Sequence, residues 1–268
     1  VLNRAKKVAI FAGAGVEGAH DEVIELADVL KAPIGHTLRG KDFIQYNNPF
    51  DVGMTGLLGY GAAAEGMNDA DVLIMLGTDF PYDQFLPNTF TVQVENRPEK
   101  LGRRTDVSLP IHSDVKPLIA ALLPLLDRDR SDAFLKAKVK KHSKIMHSPV
   151  GAYTRNAEHM KPIHPEYAAH ILNEVAAKDA IFTADTGMCN VWTARYIDPL
   201  GSRRLIGSLL HGSMANALPM AIGAQVAYPD RQVVSVSGDG GLAMLLGELV
   251  TARMHDLPIK VVVFNNST

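Results

Sequence analysis

The sequence VVSVSGDGGLAMLLGELVTARMHDLPIKVVVFNN, residues 233–266, contains two apolar runs that each end in polar residues. Residues 233–237 predict a buried strand, the glycines after it predict a turn, and residues 260–264 predict a second strand. Between the strands, apolar residues recur at the spacing of one buried helical face: Leu242, Leu245, Leu246, Leu249 and Val250. The stretch is therefore typical of a βαβ unit, whose two strands lie parallel in one sheet.

Two polar side chains follow the two strands of this unit. Asp239 comes directly after the first strand, and Asn266 closes the second. Because parallel strands end at the same edge of a sheet, we expect the carboxylate and the amide to be neighbours. Their oxygens suit Mg²⁺, which proteins often share with phosphates, and Gly240 and Gly241 let the start of the helix approach an anion. The unit predicts a site for a metal-bridged diphosphate.

This arrangement resembles the motif of thiamine diphosphate (ThDP) enzymes, in which Gly-Asp-Gly is followed, one helix and one strand later, by Asn-Asn. The alternative is an ordinary turn in which Asp239 only caps a helix. That alternative leaves the pair Asn265 and Asn266 unexplained. We therefore favour the ThDP interpretation.

Composition limits the class of protein. Apolar residues make up 47% and charged residues 21% of the 268 residues, as in soluble globular proteins with one large or two medium domains. The net charge of −2 gives no reason to expect nucleic acid as a partner. The single cysteine, Cys189, excludes an internal disulfide framework and fits a reducing compartment. No apolar run approaches the ~20 residues of a membrane span.

Strands alternate with helices along the whole chain, which predicts an α/β fold with two parallel-sheet, Rossmann-like domains, the second truncated. We expect a first domain at residues 1–130, a charged linker at 131–160 and the first part of a second domain at 161–268. Val1 stands where an initiator Met would be, and the chain stops just after the proposed metal ligand. We therefore expect a piece of a longer polypeptide.

A formal dinucleotide fingerprint, Gly13-x-Gly15-x-x-Gly18, follows the first strand. The second strand, near Ile34, has no acidic residue placed to bind a ribose, so the pattern supports an NAD site only weakly. Close packing around a glycine turn explains it better.

Three further segments of the first half are expected at strand ends, where parallel sheets bind ligands. They are residues 38–41, 55–59 and 77–82, and they contain a basic pair, a glycine loop and a threonine turn. Glu95, at the end of another strand, could accept a ribose hydroxyl. Each segment alone is an ordinary surface turn, but together they favour a nucleotide. In the second half, residues 211–216 form a loop before a helix, and Met214 offers a soft, adaptable side chain there.

The amino-acid sequences of four segments indicate a narrower family than the ThDP motif does. Residues 38–57, 77–82, 211–217 and 262–267 resemble bacterial pyruvate dehydrogenase (quinone), or pyruvate oxidase, enzymes that depend on ThDP and FAD. The similarity runs over essentially the whole chain. It implies that residues 1–130 are the middle FAD domain and that the second half begins the C-terminal ThDP domain.

The resemblance also implies cofactor contacts. FAD would contact the first half through Thr55, Gly56, Leu57, Leu58, Thr78, Asp79, Phe80, Pro81, Tyr82 and Glu95. ThDP would contact the second half through Gly212, Ser213, Met214, Asp239, Gly240 and Gly241. Mg²⁺ would be bound by Asp239, Asn266 and the carbonyl of Thr268. Met214 would act in catalysis by holding ThDP in its bent shape.

The implied activity is oxidative decarboxylation of pyruvate to acetate and CO₂, with electrons passing through FAD to a quinone or O₂. The resemblance implies a homotetrameric parent, either cytoplasmic or peripheral to the inner face of the cell membrane. The activating glutamate lies in an N-terminal domain of the family that this chain lacks, so we expect the isolated chain to be inactive.

Three alternatives stay open. An acetolactate-synthase-like carboligase would use the same cofactors, with FAD in a structural role. A non-catalytic nucleotide-binding module and an NAD-linked dehydrogenase are the others.

Overall fold

The computed structural model describes residues 1–266, which form two compact α/β units, one at Val1–Ala152 and one from Tyr153 onward. The predicted α/β class is confirmed, with a mostly parallel sheet in the first unit and a parallel sheet in the second. Among residues 1–266, no helix is both long enough and apolar enough to cross a bilayer.

The first unit contains a seven-stranded sheet with the order β4-β3-β2-β1-β5-β6-β7. All neighbouring strands are parallel except the pair β3 and β4. The strands are β1 Val8–Ala12, β2 Ile34–His36, β3 Asp51–Met54, β4 Tyr60–Gly61, β5 Val72–Leu76, β6 Phe90–Glu95 and β7 Leu109–His112. The helices are α1 His20–Leu30, α2 Lys41–Ile44, α3 Ala63–Asn68, α4 Val115–Leu122 and α5 Ala133–Ile145.

Both faces of this sheet are covered. Successive side chains of a strand point to opposite faces. In β1, Ile10 packs in a cluster with Leu26 of α1, whereas Phe11 packs with Met75 and Phe80 in a second cluster. All five residues of β1 are buried for this reason, and they read as a continuous apolar run, as the strands of parallel sheets do.

Helix α5 lies within the segment that was predicted to be a charged linker. It packs on β3, β4 and α3 and belongs to the first unit, which ends at Ala152. Lys138 is buried, and its ammonium group contacts Glu65 at 2.7 Å and Asp69 at 2.5 Å. The charges of this helix therefore serve partly to hold it against the sheet unit.

The second unit contains a four-stranded parallel sheet with the order β11-β10-β8-β9. The strands are β8 Ile181–Ala184, β9 Arg204–Gly207, β10 Val233–Gly238 and β11 Lys260–Phe264. The helices are α6 Pro165–Val175, α7 Met188–Tyr196, α8 Ala217–Ala227, α9 Asp239–Met244 and α10 Glu248–Met254. The βαβ unit predicted at residues 233–266 is present, with its two strands side by side.

The prediction of one buried helical face between these strands is wrong. The chain leaves the helical conformation at Leu245, with φ −128°, and forms the separate helices α9 and α10. The apolar side chains of the predicted face are exposed at Leu245, Leu246, Leu249 and Val250. An apolar stripe is buried only where another element covers it, and within residues 1–266 none covers this one.

Candidate functional site

The carboxyl ends of β8, β10 and β11 meet at one edge of the second sheet. Ala184 is the register partner of Val236, and Gly238 is the register partner of Phe264. The residues that follow these strands, Asp185 and Asp239 among them, therefore come to a common edge. The structure thus brings Asp239 to the same edge as the Asn265–Asn266 pair, as the parallel βαβ unit predicts.

The loop before α8 is held at this edge. Gly212 adopts φ +69°, a conformation that favours glycine. The carbonyl of Ser213 accepts hydrogen bonds from the amide of Thr186 at 3.4 Å and from the side chain of Asn216 at 2.6 Å. The loop is thereby tied to the end of β8 as well as to its own helix.

This loop comes close to the turn after β10. A Cβ atom on Gly240 would lie 4.0 Å from Cε of Met214, and the side chain of Met214 is about half exposed. The structure therefore places the predicted cofactor loop, Gly212 to Met214, beside the predicted diphosphate turn, Asp239 to Gly241.

The residues at this edge fit a magnesium diphosphate. Among the described residues, none forms a hydrogen bond or ion pair with the carboxylate of Asp239, which is partly exposed to solvent. Gly240 is exposed, so a phosphate would meet backbone rather than a side chain there. One carboxylate together with an amide and phosphate oxygens is a common Mg²⁺ environment. Thr268, the third predicted ligand, lies outside the described residues.

Asp185 at the end of β8 had no role in the sequence analysis. Its side chain is fully buried, and one carboxylate oxygen accepts a hydrogen bond from the amide of Ala217, the first residue of α8. A polar residue directly after an apolar strand was the available signal. The sequence alone does not show that Asp185 contacts two other segments of the edge.

Cys189 and Trp192 pack in the core of the second unit. Burial, together with the nearby carboxylate of Asp185, raises the pKa of the Cys189 thiol. The indole of Trp192 packs on Phe264, with ring centroids 4.7 Å apart. A thiol with a raised pKa is a poor nucleophile at neutral pH, which is consistent with a packing role.

In the first unit, the first two glycines of the formal NAD fingerprint, Gly13 and Gly15, pack against the turn after β5. A Cβ atom on Gly15 would lie 2.6 Å from Cα of Gly77, and the amide of Gly15 donates to the carbonyl of Gly77 at 3.0 Å. Gly77 itself has φ +56°. Close packing of two turns therefore explains Gly13 and Gly15, whereas Gly18 has φ +76° and a Cβ atom there would meet nothing within 4 Å.

The two loops predicted to contact FAD meet each other. Gly56 has φ +105°, and a Cβ atom there would lie 2.9 Å from the ring of Phe80. Phe80 is buried against Phe11, with ring centroids 5.1 Å apart, and contacts Tyr82. The exposed members of the predicted set are Leu57 and Pro81, the buried ones are Thr55, Thr78, Phe80 and Glu95, and the half-buried ones are Gly56, Leu58, Asp79 and Tyr82.

Two of the predicted FAD contacts have internal partners. The carboxylate of Asp79 lies 3.1 Å from the ammonium group of Lys100 and 3.4 Å from the guanidinium groups of Arg103 and Arg104. The carboxylate of Glu95 accepts a hydrogen bond from the amide of Arg97 at 3.3 Å. These acidic groups therefore order the segment after β6, residues 97–104.

A buried polar cluster lies between β2, β3 and α5 in the first unit. Asp51 stands between two imidazoles, with Nε2 of His36 at 3.6 Å and Nε2 of His142 at 3.7 Å. Burial lowers the pKa of both histidines, and the charge of Asp51 opposes this effect in part. The sequence offered no signal for this cluster, because its members are 15 to 106 residues apart along the chain.

Two models of known protein families match the chain. Residues 1–122 match the central domain of thiamine pyrophosphate enzymes, and residues 185–268 match their C-terminal TPP binding domain. The two matched regions fall in the two compact units.

Several curated relatives are similar over nearly the whole chain. YdaP of Bacillus subtilis, provisionally named as thiamine pyrophosphate-containing, is 35% identical over 266 residues, covering 99% of this chain and 46% of the relative. The acetolactate synthase large subunit of Porphyra purpurea is 32% identical, covering 96% of this chain and 44% of its own length. IlvB1 of Mycobacterium tuberculosis, an acetolactate synthase large subunit, is 29% identical, and the match covers 99% of this chain and 44% of IlvB1. The chain spans about half the length of these relatives.

Proposed function

Because the chain belongs to the family of thiamine pyrophosphate enzymes, we propose that it carries the ThDP diphosphate site of an acetolactate-synthase-like carboligase. In this reaction one pyruvate loses CO₂, and its remaining two-carbon unit forms a bond to the keto carbon of a second pyruvate. Bound ThDP supplies the electron sink that such a carbon–carbon cleavage needs. Acetolactate synthases among the curated relatives support this choice over an oxidase.

The observation that carries the proposal is the meeting of the strand ends in the second sheet. Asp239 and Asn266 would hold Mg²⁺ with their oxygens, and the backbone of Gly240 and Gly241 would face the diphosphate. Met214 would pack against the cofactor from the neighbouring loop, where its flexible thioether adapts to an aromatic ring. These residues bind and orient the cofactor. They do not themselves move protons.

A second candidate is the FAD-dependent oxidation of pyruvate to acetate and CO₂, with electrons passing to a quinone or O₂. It is favoured by the resemblance of residues 38–57 and 77–82 to pyruvate oxidase. The loops of these two segments meet at Gly56 and Phe80 in the first unit. In that enzyme the flavin would be reduced in each turnover. In the carboligase, FAD would only be structural.

One experiment distinguishes the two candidates. The polypeptide that carries this chain is incubated with pyruvate, ThDP and Mg²⁺, and acetolactate and acetate are measured separately. The carboligase predicts acetolactate without any added electron acceptor. Formation of acetate coupled to reduction of an artificial acceptor, and anaerobic bleaching of bound flavin by pyruvate, would instead support the oxidase. Absence of ThDP binding would overturn both.

We also propose that the active protein is a homotetramer, and that it lies in the cytoplasm or at the inner face of the cell membrane. Sedimentation of the purified protein, with and without vesicles of anionic lipid, tests the assembly and the membrane association.

A further inference from the structure

The carboxylate of Asp185 connects three segments of the proposed cofactor site. Its backbone amide donates to the carbonyl of Val236 at 3.0 Å, which holds the end of β8 beside β10. Its side chain is 1% exposed and points between the loop before α8 and the turn after β10. A buried carboxylate is costly unless its oxygens have partners or a defined task.

One oxygen of Asp185 fixes the start of α8. Oδ1 accepts hydrogen bonds from the amide of Ala217 at 2.8 Å and from the side-chain amide of Asn216 at 3.3 Å. Asp185 follows β8 and therefore caps the start of α8 from outside the helix. A negative charge is favourable at the N-terminus of a helix. The hydroxyl of Thr183, two residues earlier, donates to the carbonyl of Ala217 at 2.7 Å and adds a second tie.

The other oxygen of Asp185 defines the position of the diphosphate turn. Oδ2 accepts no hydrogen bond from any residue within 1–266. It faces Gly241, where a Cβ atom would lie 2.5 Å away. Any side chain at position 241 would therefore collide with the carboxylate. The turn can approach the end of β8 this closely only because residue 241 is glycine.

We propose that Asp185 is a positioning residue that sets the distance between the two cofactor loops, Gly212 to Met214 and Asp239 to Gly241. This inference rests on the proposed function, because the loops need a fixed spacing only if they hold one ligand. Asp185 contacts neither the diphosphate nor the reacting atoms in this scheme. It acts through the helix cap on one side and through steric contact with Gly241 on the other.

The first test compares Asp185→Ala with the matched variant Asp185→Asn, which keeps an acceptor for the amide of Ala217. Two quantities are measured in the polypeptide that carries this chain: hydrogen exchange of residues 211–220 without cofactor, and calorimetric binding of ThDP in the presence of Mg²⁺. We expect faster exchange in the alanine variant and about ten- to hundredfold weaker binding, as for the loss of a charge-assisted hydrogen bond. The asparagine variant should restore slow exchange and most of the affinity.

The outcomes separate the two proposals. Unchanged exchange and affinity in Asp185→Ala, with wild-type binding intact, would overturn the role of Asp185 and leave the proposed function standing. A wild-type protein that does not bind ThDP with Mg²⁺ would overturn the proposed function. Circular dichroism and thermal unfolding of each variant, compared with the wild type, check that it is folded.

A second test probes the contact with Gly241 directly. Gly241→Ala should weaken ThDP binding about tenfold or more, because the new methyl group meets the carboxylate. In an Asp185→Ala background, which lacks the carboxylate that the methyl group would meet, the same change should cost less than about threefold relative to Asp185→Ala alone. An equal loss in both backgrounds would show that the carboxylate does not define the turn.

Discussion

Gly238 at the end of β10 is the register partner of Phe264 at the end of β11. The next residue after Gly238 is Asp239, and the residues after Phe264 are Asn265 and Asn266. A shift of the register by a few residues would separate the carboxylate from the amide, because each residue advances a strand by about 3.3 Å. The proposed metal site therefore depends on the pairing of these two strands.

Replacing Asp239 by alanine should weaken Mg²⁺-dependent binding of ThDP by at least about tenfold, because the variant loses the only charged side chain proposed as a metal ligand. Calorimetry with ThDP, at several Mg²⁺ concentrations, measures the effect. Asp256→Ala is the control, since Asp256 lies before β11 begins and so at the opposite edge of the sheet. Equal losses in the two variants would contradict the assignment.

Gly77→Ala should destabilise the first unit by about 3 kcal/mol, because it adds both backbone strain at a positive φ and collision with the backbone of Gly15. Gly102 is the matched control. It also has a positive φ, +68°, but a Cβ atom there would meet nothing within 4 Å. Gly102→Ala should therefore cost only about 1 kcal/mol. Urea unfolding followed by circular dichroism compares the two variants, and similar costs would argue against close packing of the two turns.

Lys138→Ala should lower the stability of the first unit by about 1–2 kcal/mol, since Asp69 loses its buried cationic partner and Glu65 keeps only its pair with the more exposed Lys141. These carboxylates are partly exposed, so water offsets part of the loss. Lys136→Ala is the control on the same helix, because Lys136 is exposed and its pair is with Asp132, at 2.7 Å. It should cost less than about 0.5 kcal/mol. Limited proteolysis of residues 127–152 should also be faster in the Lys138 variant alone.

The stability of the first unit should fall as the pH drops below about 6.5, the ordinary imidazole pKa. His36 and His142 have lowered pKa values in the folded protein because they are buried. Below pH 6.5 the unfolded chain therefore binds protons that the folded chain does not, and each such group can contribute up to about 1.4 kcal/mol per pH unit. The charged groups near this pair are Asp51, which favours protonation, and Lys41, which opposes protonation of His36.

Urea unfolding at pH 7.5, 6.5 and 5.5 measures this dependence. His142→Gln should flatten it, while His112→Gln, which changes an exposed histidine of the same unit, should not. Stability of the first unit that rises on acidification in this range would contradict the burial argument. The fluorescence of Trp192 identifies transitions of the second unit, so the two units can be followed separately.

The central strands of both sheets were predictable from the sequence. In β1, β5, β6 and β10, apolar runs end at glycine or polar residues, and this pattern is strong because the strands are buried on both faces. Three of the four edge strands were missed, whereas the edge strand β11 was predicted at residues 260–264. Strand β4 has two residues, β7 contains Pro110, and β9 begins with a partly exposed arginine. Edge strands need neither a continuous apolar run nor a complete set of hydrogen bonds, so their sequences resemble loops.

The sequence by itself determined that Asp239 and the Asn265–Asn266 pair would meet, because a βαβ unit has parallel strands and parallel strands end at one edge. Only the tertiary structure decided which side chains surround that edge. Asp185 reaches Ala217 and Gly241 from another strand, and the apolar residues of α9 and α10 are exposed rather than buried. The local sequence pattern gives the spacing of apolar residues within one helix or strand. The contacts and burial of those residues depend on what packs against the element, and in this chain the packing partners are distant in sequence.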